Sequence, residues 1–365
     1  MPNLIHFYFE GDDYFNAIGE AILSAQKSVD VEIYNLASDS VGINLADLLV
    51  KKAKEGLRIR LIYDAMGSRD TSQDMIFDLS QGGIQIKKFN SVLAQGGHFS
   101  RRNHRKMVVV DGKTGFIGGF NFTAEYSRKY SGNTAWRDTG VRMTEPSLVY
   151  RLIFLFHQTW QGRLIRARDF IKSGRRHRLL TNTAGPFFIL ANYGWRQKSL
   201  IREEYLSAIA RAKKRVWLTT PYFVPDRGIR SALRRAARRG VDVRILVPGI
   251  CDVPIVQWAA ESTYVALMKA KVDIYEYQER VLHAKCAIVD DNWFTVGTAN
   301  LDHLSFFKNL EVNLFGKTAE ETQILAEQFQ KDLQSAKRMD PTEWSQRSWL
   351  ARLREKCCFY FRVWL

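Results

Sequence analysis

Two stretches of the 365-residue chain carry the same side chains at the same intervals. HRKMVVVDGKTGFIGGFN (104–121) and HAKCAIVDDNWFTVGTAN (283–300) both read H-x-K-x4-D-x6-G-[GT]-x-N. The fixed polar positions are His104, Lys106, Asp111 and Asn121 in the first copy, and His283, Lys285, Asp290 and Asn300 in the second. On an extended strand, residues two apart point to one side, so each imidazole shares a face with an ammonium group. The glycines that precede each asparagine allow a ligand or a neighbouring backbone to come close. Two imidazoles, two ammonium groups and two amides at one spot form an anion site with acid–base capacity. Phosphodiester transfer needs such a set. A neutral imidazole attacks phosphorus, a protonated one supplies the leaving alkoxide with its proton, and cations and amides stabilise the equatorial oxygens. Such a histidine pair titrates as a coupled system. The arrangement calls for no metal and no cofactor.

Each imidazole also needs a carboxylate to orient it. Asp138, in TAWRDTG, follows His104 by 34 residues, and Glu311, in NLEVNL, follows His283 by 28. Position alone leaves both open between orienting and surface roles.

The elements that must position these groups are themselves duplicated. DDYFNAIGEAILSAQKSVDVEIYNL (12–36) and REEYLSAIARAKKRVWLTTPYFV (202–224) each run from helical apolar spacing into a β-rich segment. LADLLVKKAKEGLRIRLIYD (45–64) and IRSALRRAARRGVDVRILVP (229–248) each read as an amphipathic helix stopped at Gly56 or Gly240 and followed by a strand. Further strands are expected near 84–89 and 272–277. The pattern predicts an α/β fold of two homologous halves, each a sheet flanked by helices, packed about a pseudo-two-fold axis with the motifs face to face. The boundaries fall at 1–165 and 187–340, joined by a basic linker (166–186) and followed by a tail (341–365).

The charge, 54 basic less 38 acidic residues or +16, favours a polyanion: nucleic acid or an anionic membrane surface. The cysteines, Cys251, Cys286, Cys357 and Cys358, show neither metal-type spacing nor a disulfide framework, which fits a reducing compartment. Cys286, in an apolar run, is expected to be a buried thiol. The first residues, MPNLIHFYFEGDDYF, do not resemble a signal peptide, and no apolar run is long enough to span a bilayer. His6, His98, His157, His177 and His303 read as ordinary surface or core residues, with His98 in GGHFSRRNHRK also a candidate substrate contact. Arg101, Arg102 and Arg105 are either phosphate-attracting or solvated. The helix IRSALRRAARR presents either a solvated basic face or one that docks on anionic lipid. The tail SWLARLREKCCFYFRVWL mixes Trp349, Leu350, Leu353, Cys357, Phe361 and Trp364 with Arg352, Arg354, Lys356 and Arg362. That mixture suits an interfacial helix; a terminal helix packed on its own half is the other reading.

The duplicated motif resembles the signature of the phospholipase D superfamily. GGFNFTAEY, TAWRDTG, PYFVPD and GTANLDHLSF are similar to bacterial cardiolipin synthases, over about residues 5–335. The lack of membrane helices at the N-terminus is similar to their shorter, B-type branch. The resemblance implies two phospholipase D-like α/β-sandwich halves sharing one site and a ping-pong reaction through phosphohistidine. It implies that His104 is the nucleophile, that His283 is general acid and then general base, and that Asp138 and Glu311 orient the histidines. It makes Asp111 and Asp290 more structural than chemical. It implies phosphatidylglycerol as donor and as second substrate, hydrolysis to phosphatidic acid as a side reaction, and a peripheral place on the cytoplasmic side of a bacterial inner membrane. Thr298 and His303 depart from the usual pattern, the latter where the family often has Arg, which bears on acceptor binding. The rival reading is a phosphodiesterase acting on nucleic acid, which would share the same histidines and lysines.

Overall fold

Local signals place the helices. The Asp39 carboxylate accepts from the backbone N–H groups of Val41 and Gly42, starting the helix Ser40–Lys54, and Asp226 does the same for Gly228 and Ile229 at the start of the helix Arg227–Arg238. Both helices bury one apolar face and stop just before Gly56 and Gly240, whose φ of +90° and +89° is the left-handed conformation that glycine tolerates. The chain then turns directly into a parallel strand.

The computed structural model describes residues 4–90, 101–162, 185–193 and 199–361. Nearly all of the expected linker, together with His98, His177, Arg362 and Trp364, lies outside the described residues. The first half contains β1 (Ile5–Tyr8), α1 (Gly11–Leu23), β2 (Ser28–Ile33), α2 (Ser40–Lys54), β3 (Arg58–Asp64), α3 (Gln73–Gln81), β4 (Gln85–Phe89), β5 (Met107–Val110), β6 (Thr114–Gly118), β7 (Gly140–Met143) and α4 (Pro146–Trp160). The second contains β8 (Phe187–Tyr193), α5 (Leu200–Arg211), β9 (Arg215–Thr219), α6 (Arg227–Arg238), β10 (Asp242–Pro248), α7 (Pro254–Met268), β11 (Asp273–Tyr277), β12 (Cys286–Val289), β13 (Trp293–Gly297), β14 (Leu310–Gly316), α8 (Ala319–Gln334), β15 (Ala336–Arg338) and α9 (Trp349–Tyr360).

The two sheets repeat one topology. Strand order is β1-β7-β6-β5-β2-β3-β4 in the first and β15-β11-β10-β9-β12-β13-β14-β8 in the second, the same sequence read in reverse with β15 added at one edge. In each, three parallel strands adjoin an antiparallel hairpin, so both are mixed sheets flanked by helices, as the repeat predicted.

Each half has an outer core, and a third core lies between them. Met107 and Val109 on β5 face it from one side; Trp217, Ile288 and Phe329 face it from the other. Buried arginines join the halves there. Arg137 makes a two-point contact with Asp332, at 3.2 and 2.8 Å. Arg280 pairs with Glu10 at 2.5 Å, and Arg105 donates to the backbone oxygens of Asn192 and Glu311. Arg105 is fully buried, so it is a joint between halves and not the phosphate contact that its place beside His104 suggested.

The tail also packs inward. The face of α9 carrying Glu355 and Cys358 is buried, Arg347 lies 2.7 Å from Glu355 and 3.5 Å from Glu261 on α7, and Arg354 covers the Trp258 ring at 4.3 Å. One face of the tail thus docks on its own half while the other stays open. Among the described residues, no helix is long and apolar enough to cross a membrane.

Candidate active site

Four isolated bridges outside the named strands fall into two equivalent pairs. Leu36 bridges Phe122 just after Asn121, and Phe223 bridges Leu301 just after Asn300, drawing each asparagine to the end of its parallel strands. The other pair crosses between halves. Asn103 bridges Leu310, and Arg137 bridges Leu282. One residue further along each bridge, His104 stands beside Glu311 and His283 beside Asp138.

The resulting dyads are exchanged between halves. His104 Nδ1 lies 3.1 Å from both Glu311 carboxylate oxygens, and His283 Nδ1 lies 2.6 Å from Asp138 Oδ2. With Nδ1 turned to the carboxylate, Nε2 of each ring is left for substrate. The carboxylates are held in turn. Thr139 N–H donates to Asp138 at 2.7 Å, while the Thr298 hydroxyl donates to Glu311 and accepts from Val312 N–H at 3.0 Å. The first half has Gly119 where the second has Thr298, and a Cβ at 119 would lie 2.1 Å from Asp138 Oδ1. Glu311 has room beside it for a threonine whose hydroxyl holds it; Asp138 leaves room for nothing.

The two lysines enter from the same segments. Lys106 and Lys285 each donate from Nζ to the backbone oxygen of the histidine two residues before. These segments lie just ahead of β5 and β12 and are not strand proper, but each lysine stays by its histidine: Lys285 Nζ is 2.7 Å from His283 Nδ1, and Tyr34 adjoins both His104 and Lys106. Burial depresses both ammonium groups, and the nearby Lys285 adds to the effect on Lys106, bringing it to about 7. Burial also lowers both histidines against the pull of their carboxylates. His283 falls to about 4, with Lys285 Nζ 2.7 Å from its Nδ1 as the next cause. At neutral pH the imidazoles are therefore uncharged and Lys106 is near the midpoint of its titration.

Asn121 and Asn300 are both buried, Asn300 two residues beyond the Thr298 that holds Glu311. Asn121 Oδ1 accepts from Asn35 N–H and its Nδ2 donates to the Tyr126 hydroxyl, which lies 3.0 Å from His283 Nδ1. Asp111 and Asp290 are not brought to this cluster. They sit at the far ends of β5 and β12 with φ of 53° and 52°, each accepting from three successive backbone N–H groups: Gln26, Lys27 and Ser28, or Lys213, Lys214 and Arg215. They tie each hairpin turn to the start of the neighbouring strand, a structural place that corrects their grouping with the catalytic set.

Aromatic rings wall the site. Tyr34 meets His104 edge-on at 4.9 Å, and Trp136 and Tyr222 lie 5.6 and 6.4 Å from His283. Tyr126 and Tyr34 are the residues that the motifs do not single out; Thr298 stands out in the sequence as a departure from the usual pattern, but its hold on Glu311 does not. His157, on α4, lies 3.4 Å from Arg60 of β3, and the His303 ring lies 4.8 Å from that of Phe307. Cys286 is half-buried, and all four cysteines are free thiols. Among the described residues, no group of His, Cys, Asp and Glu could hold a metal.

A duplicated α/β half that lends one histidine to its own site and one carboxylate to its neighbour's histidine is the phospholipase D-like architecture. The family model described as "Cardiolipin synthase, PLD-like domain" matches residues 18–160 and 205–333, and the chain belongs to that family. It is 33% identical over 349 residues to the probable cardiolipin synthase YwiE of Bacillus subtilis (strain 168), covering 94% of this chain and 69% of that protein. It is 36% identical over 357 residues to the cardiolipin synthase of Halalkalibacterium halodurans, covering 96% of this chain and 70% of that one. The fold matches the crystal structure of phosphatidylserine synthase from Haemophilus influenzae Rd KW20 with a TM-score of 0.77 at 16% identity, over 100% of this chain and 96% of that one.

Proposed function

We propose that the chain is a phosphatidyltransferase that makes cardiolipin from two molecules of phosphatidylglycerol. The observation that carries this reading is the pair of exchanged histidine–carboxylate dyads, each with a buried lysine, in a chain of this family. His104 Nε2 attacks the phosphorus of the donor, forming an N–P bond as the P–O bond to glycerol breaks. His283 supplies the proton that the departing glycerol oxygen takes. The same ring then removes the proton from a hydroxyl of the second phosphatidylglycerol, whose oxygen attacks phosphorus and releases His104. Water in place of that hydroxyl gives phosphatidic acid. Lys106, Lys285, Asn121 and Asn300 stabilise the phosphoryl oxygens as charge gathers on them. The bound phosphodiester brings a negative charge among groups that burial has depressed, which favours protonated Lys106, Lys285 and His283 when substrate is present.

Lipid substrates place the enzyme at the surface of a membrane, peripherally on the cytoplasmic side of a bacterial inner membrane. The basic linker and the domain limits 1–165, 187–340 and 341–365 belong to this reading as well. Incubating the purified protein with phosphatidylglycerol vesicles, wild type beside His104→Ala, and weighing the lipids by mass spectrometry tests it. Cardiolipin and glycerol from wild type alone are expected. Phosphatidic acid alone would make the chain a hydrolase, and turnover of single-stranded or duplex DNA with none of lipid would transfer the site to nucleic acid.

A further inference from the structure

Helix α9 leaves one face open, and that face is apolar. Trp349, Leu350, Leu353, Tyr360 and Phe361 are all exposed, Trp349 at 71% and Tyr360 at 78%. At 100° per residue these side chains and the exposed Cys357 fall within one third of the helix circumference, opposite the buried Glu355 and Cys358. Arg354 borders the stripe on one side, with Arg352 and Lys356 on the other. Large apolar groups bordered by long cations, lying along a helix docked at its back, match an interface between water and an anionic bilayer.

The stripe leads toward Tyr222, beside His283. Helix α9 runs antiparallel to α7, because Trp344 meets Tyr264, Arg347 meets Glu261 and Arg354 meets Trp258. Its last turn therefore lies toward the start of α7, where Ile250 and Ile255 are exposed at 50% and 40%. Between those isoleucines, Asp252 accepts from the Tyr222 hydroxyl at 2.6 Å, and the Tyr222 ring is 6.4 Å from His283. Arg230 of the arginine-rich α6 covers Phe359 at 5.1 Å, bringing that basic helix alongside.

We infer that the open face of α9, continued by Ile250 and Ile255, is the surface by which the protein seats on an anionic phospholipid bilayer, with α9 lying in the interface still docked on α7 and the Tyr222 side of the site turned to the lipid. This rests on the reading of the substrate as a lipid, but its test does not depend on turnover. The triple variant Trp349→Ser, Leu353→Ser, Phe361→Ser alters no residue of the dyads or of the docked face. Its circular dichroism and melting temperature against wild type establish that it folds. Co-sedimentation with vesicles of phosphatidylglycerol and phosphatidylcholine is expected to show at least about tenfold weaker binding than wild type. Arg352→Gln with Arg354→Gln and Lys356→Gln is expected to lose the preference for those vesicles over pure phosphatidylcholine. Turnover of a short-chain phosphatidylglycerol kept below its micelle concentration is expected to be unchanged in both. Equal vesicle binding by the triple variant and wild type would overturn the inference. So would a wild-type dimer in lipid-free sedimentation that the triple variant dissociates, since a second copy would then be the occupant. Wild type that binds vesicles yet transfers no phosphatidyl group would leave this surface standing and sink the proposed reaction instead.

Discussion

Glu311 and Asp138 each hold a histidine that belongs to the opposite half, 207 and 145 residues away. Removing their charge while keeping their shape isolates that contribution. Glu311→Gln and Asp138→Asn are expected to lower kcat by roughly 10²–10⁴-fold with substrate binding largely retained, because the ring loses its orientation and the partner of its charged form. Thr298→Val is expected to cost about tenfold by freeing Glu311, with Thr298→Ser restoring most of the rate. In the double variant Thr298→Val, Glu311→Gln the loss should equal that of Glu311→Gln alone, since Thr298 acts only through the carboxylate; additive losses would break that chain. The pH dependence belongs to this scale too. Rate requires a neutral attacking imidazole, charged lysines and a protonated His283. The acid limb of kcat/KM is thus expected below the ordinary histidine value of 6.5, because burial lowers His104; on the alkaline side the rate falls with the proton of His283, about 4 in the free enzyme, and falls more steeply near pH 7, where Lys106 also loses its proton. Lys106→Arg is expected to be slower and to lose that steepening near pH 7, which a pH series on both proteins would reveal. The duplicated motif made the histidines, lysines and asparagines legible in the sequence. Which carboxylate serves which histidine was not, because the pairing arises from two bridges between halves that no local spacing records.

Elements were read well wherever the signal was local. The stops at Gly56 and Gly240 and the β-rich runs after each helix all reappear as the elements that carry the site. The motif aspartates repeat with the histidines but serve the far end of the hairpin. Asp111→Ala is expected to lower stability by about 1–3 kcal/mol, since three backbone N–H groups lose their acceptor, while kcat of the folded protein changes little. Denaturant unfolding beside an activity assay separates the two outcomes, and a loss of rate without a loss of stability would return Asp111 to the chemistry. The docking of α9 offers a second test among elements. Glu261 is raised to about 7 by burial and by Glu355, against the opposing pull of Arg347 and Arg354. Its folded pKa exceeds its unfolded value, so the contribution is fully present below about 4.5 and is lost as pH rises through 7. Amide exchange in 349–360, corrected for intrinsic rate, is expected to be more protected at pH 6 than at pH 8, and Glu261→Gln should remove the difference.

At the scale of the whole molecule, duplication explains why the joint between halves is built from buried charge. A site assembled from exchanged dyads works only while the halves keep one relative position, and apolar packing alone tolerates small slips better than directional contacts do. Arg137 illustrates the design. Its backbone bridges Leu282, its side chain grips Asp332 at two points, and the next residue, Asp138, is the partner of His283. The contact that fastens the halves is thus one peptide unit from a contact that does the chemistry. Truncating it leaves Asp332 buried without its counter-charge, and such losses typically cost about 3–5 kcal/mol. Arg137→Ala is therefore expected to lower stability by that amount and to reduce kcat further than the folded fraction accounts for, because Asp138 shifts with its neighbour. The double variant Arg137→Met, Asp332→Leu separates these effects. It removes the stranded charge and is expected to recover most of the stability, since apolar replacements of buried ion pairs are often neutral or better. If kcat returned with stability, apolar contact would suffice to align the dyads; if stability returned and kcat did not, the two-point grip on Asp332 would be the feature that sets Asp138 against His283.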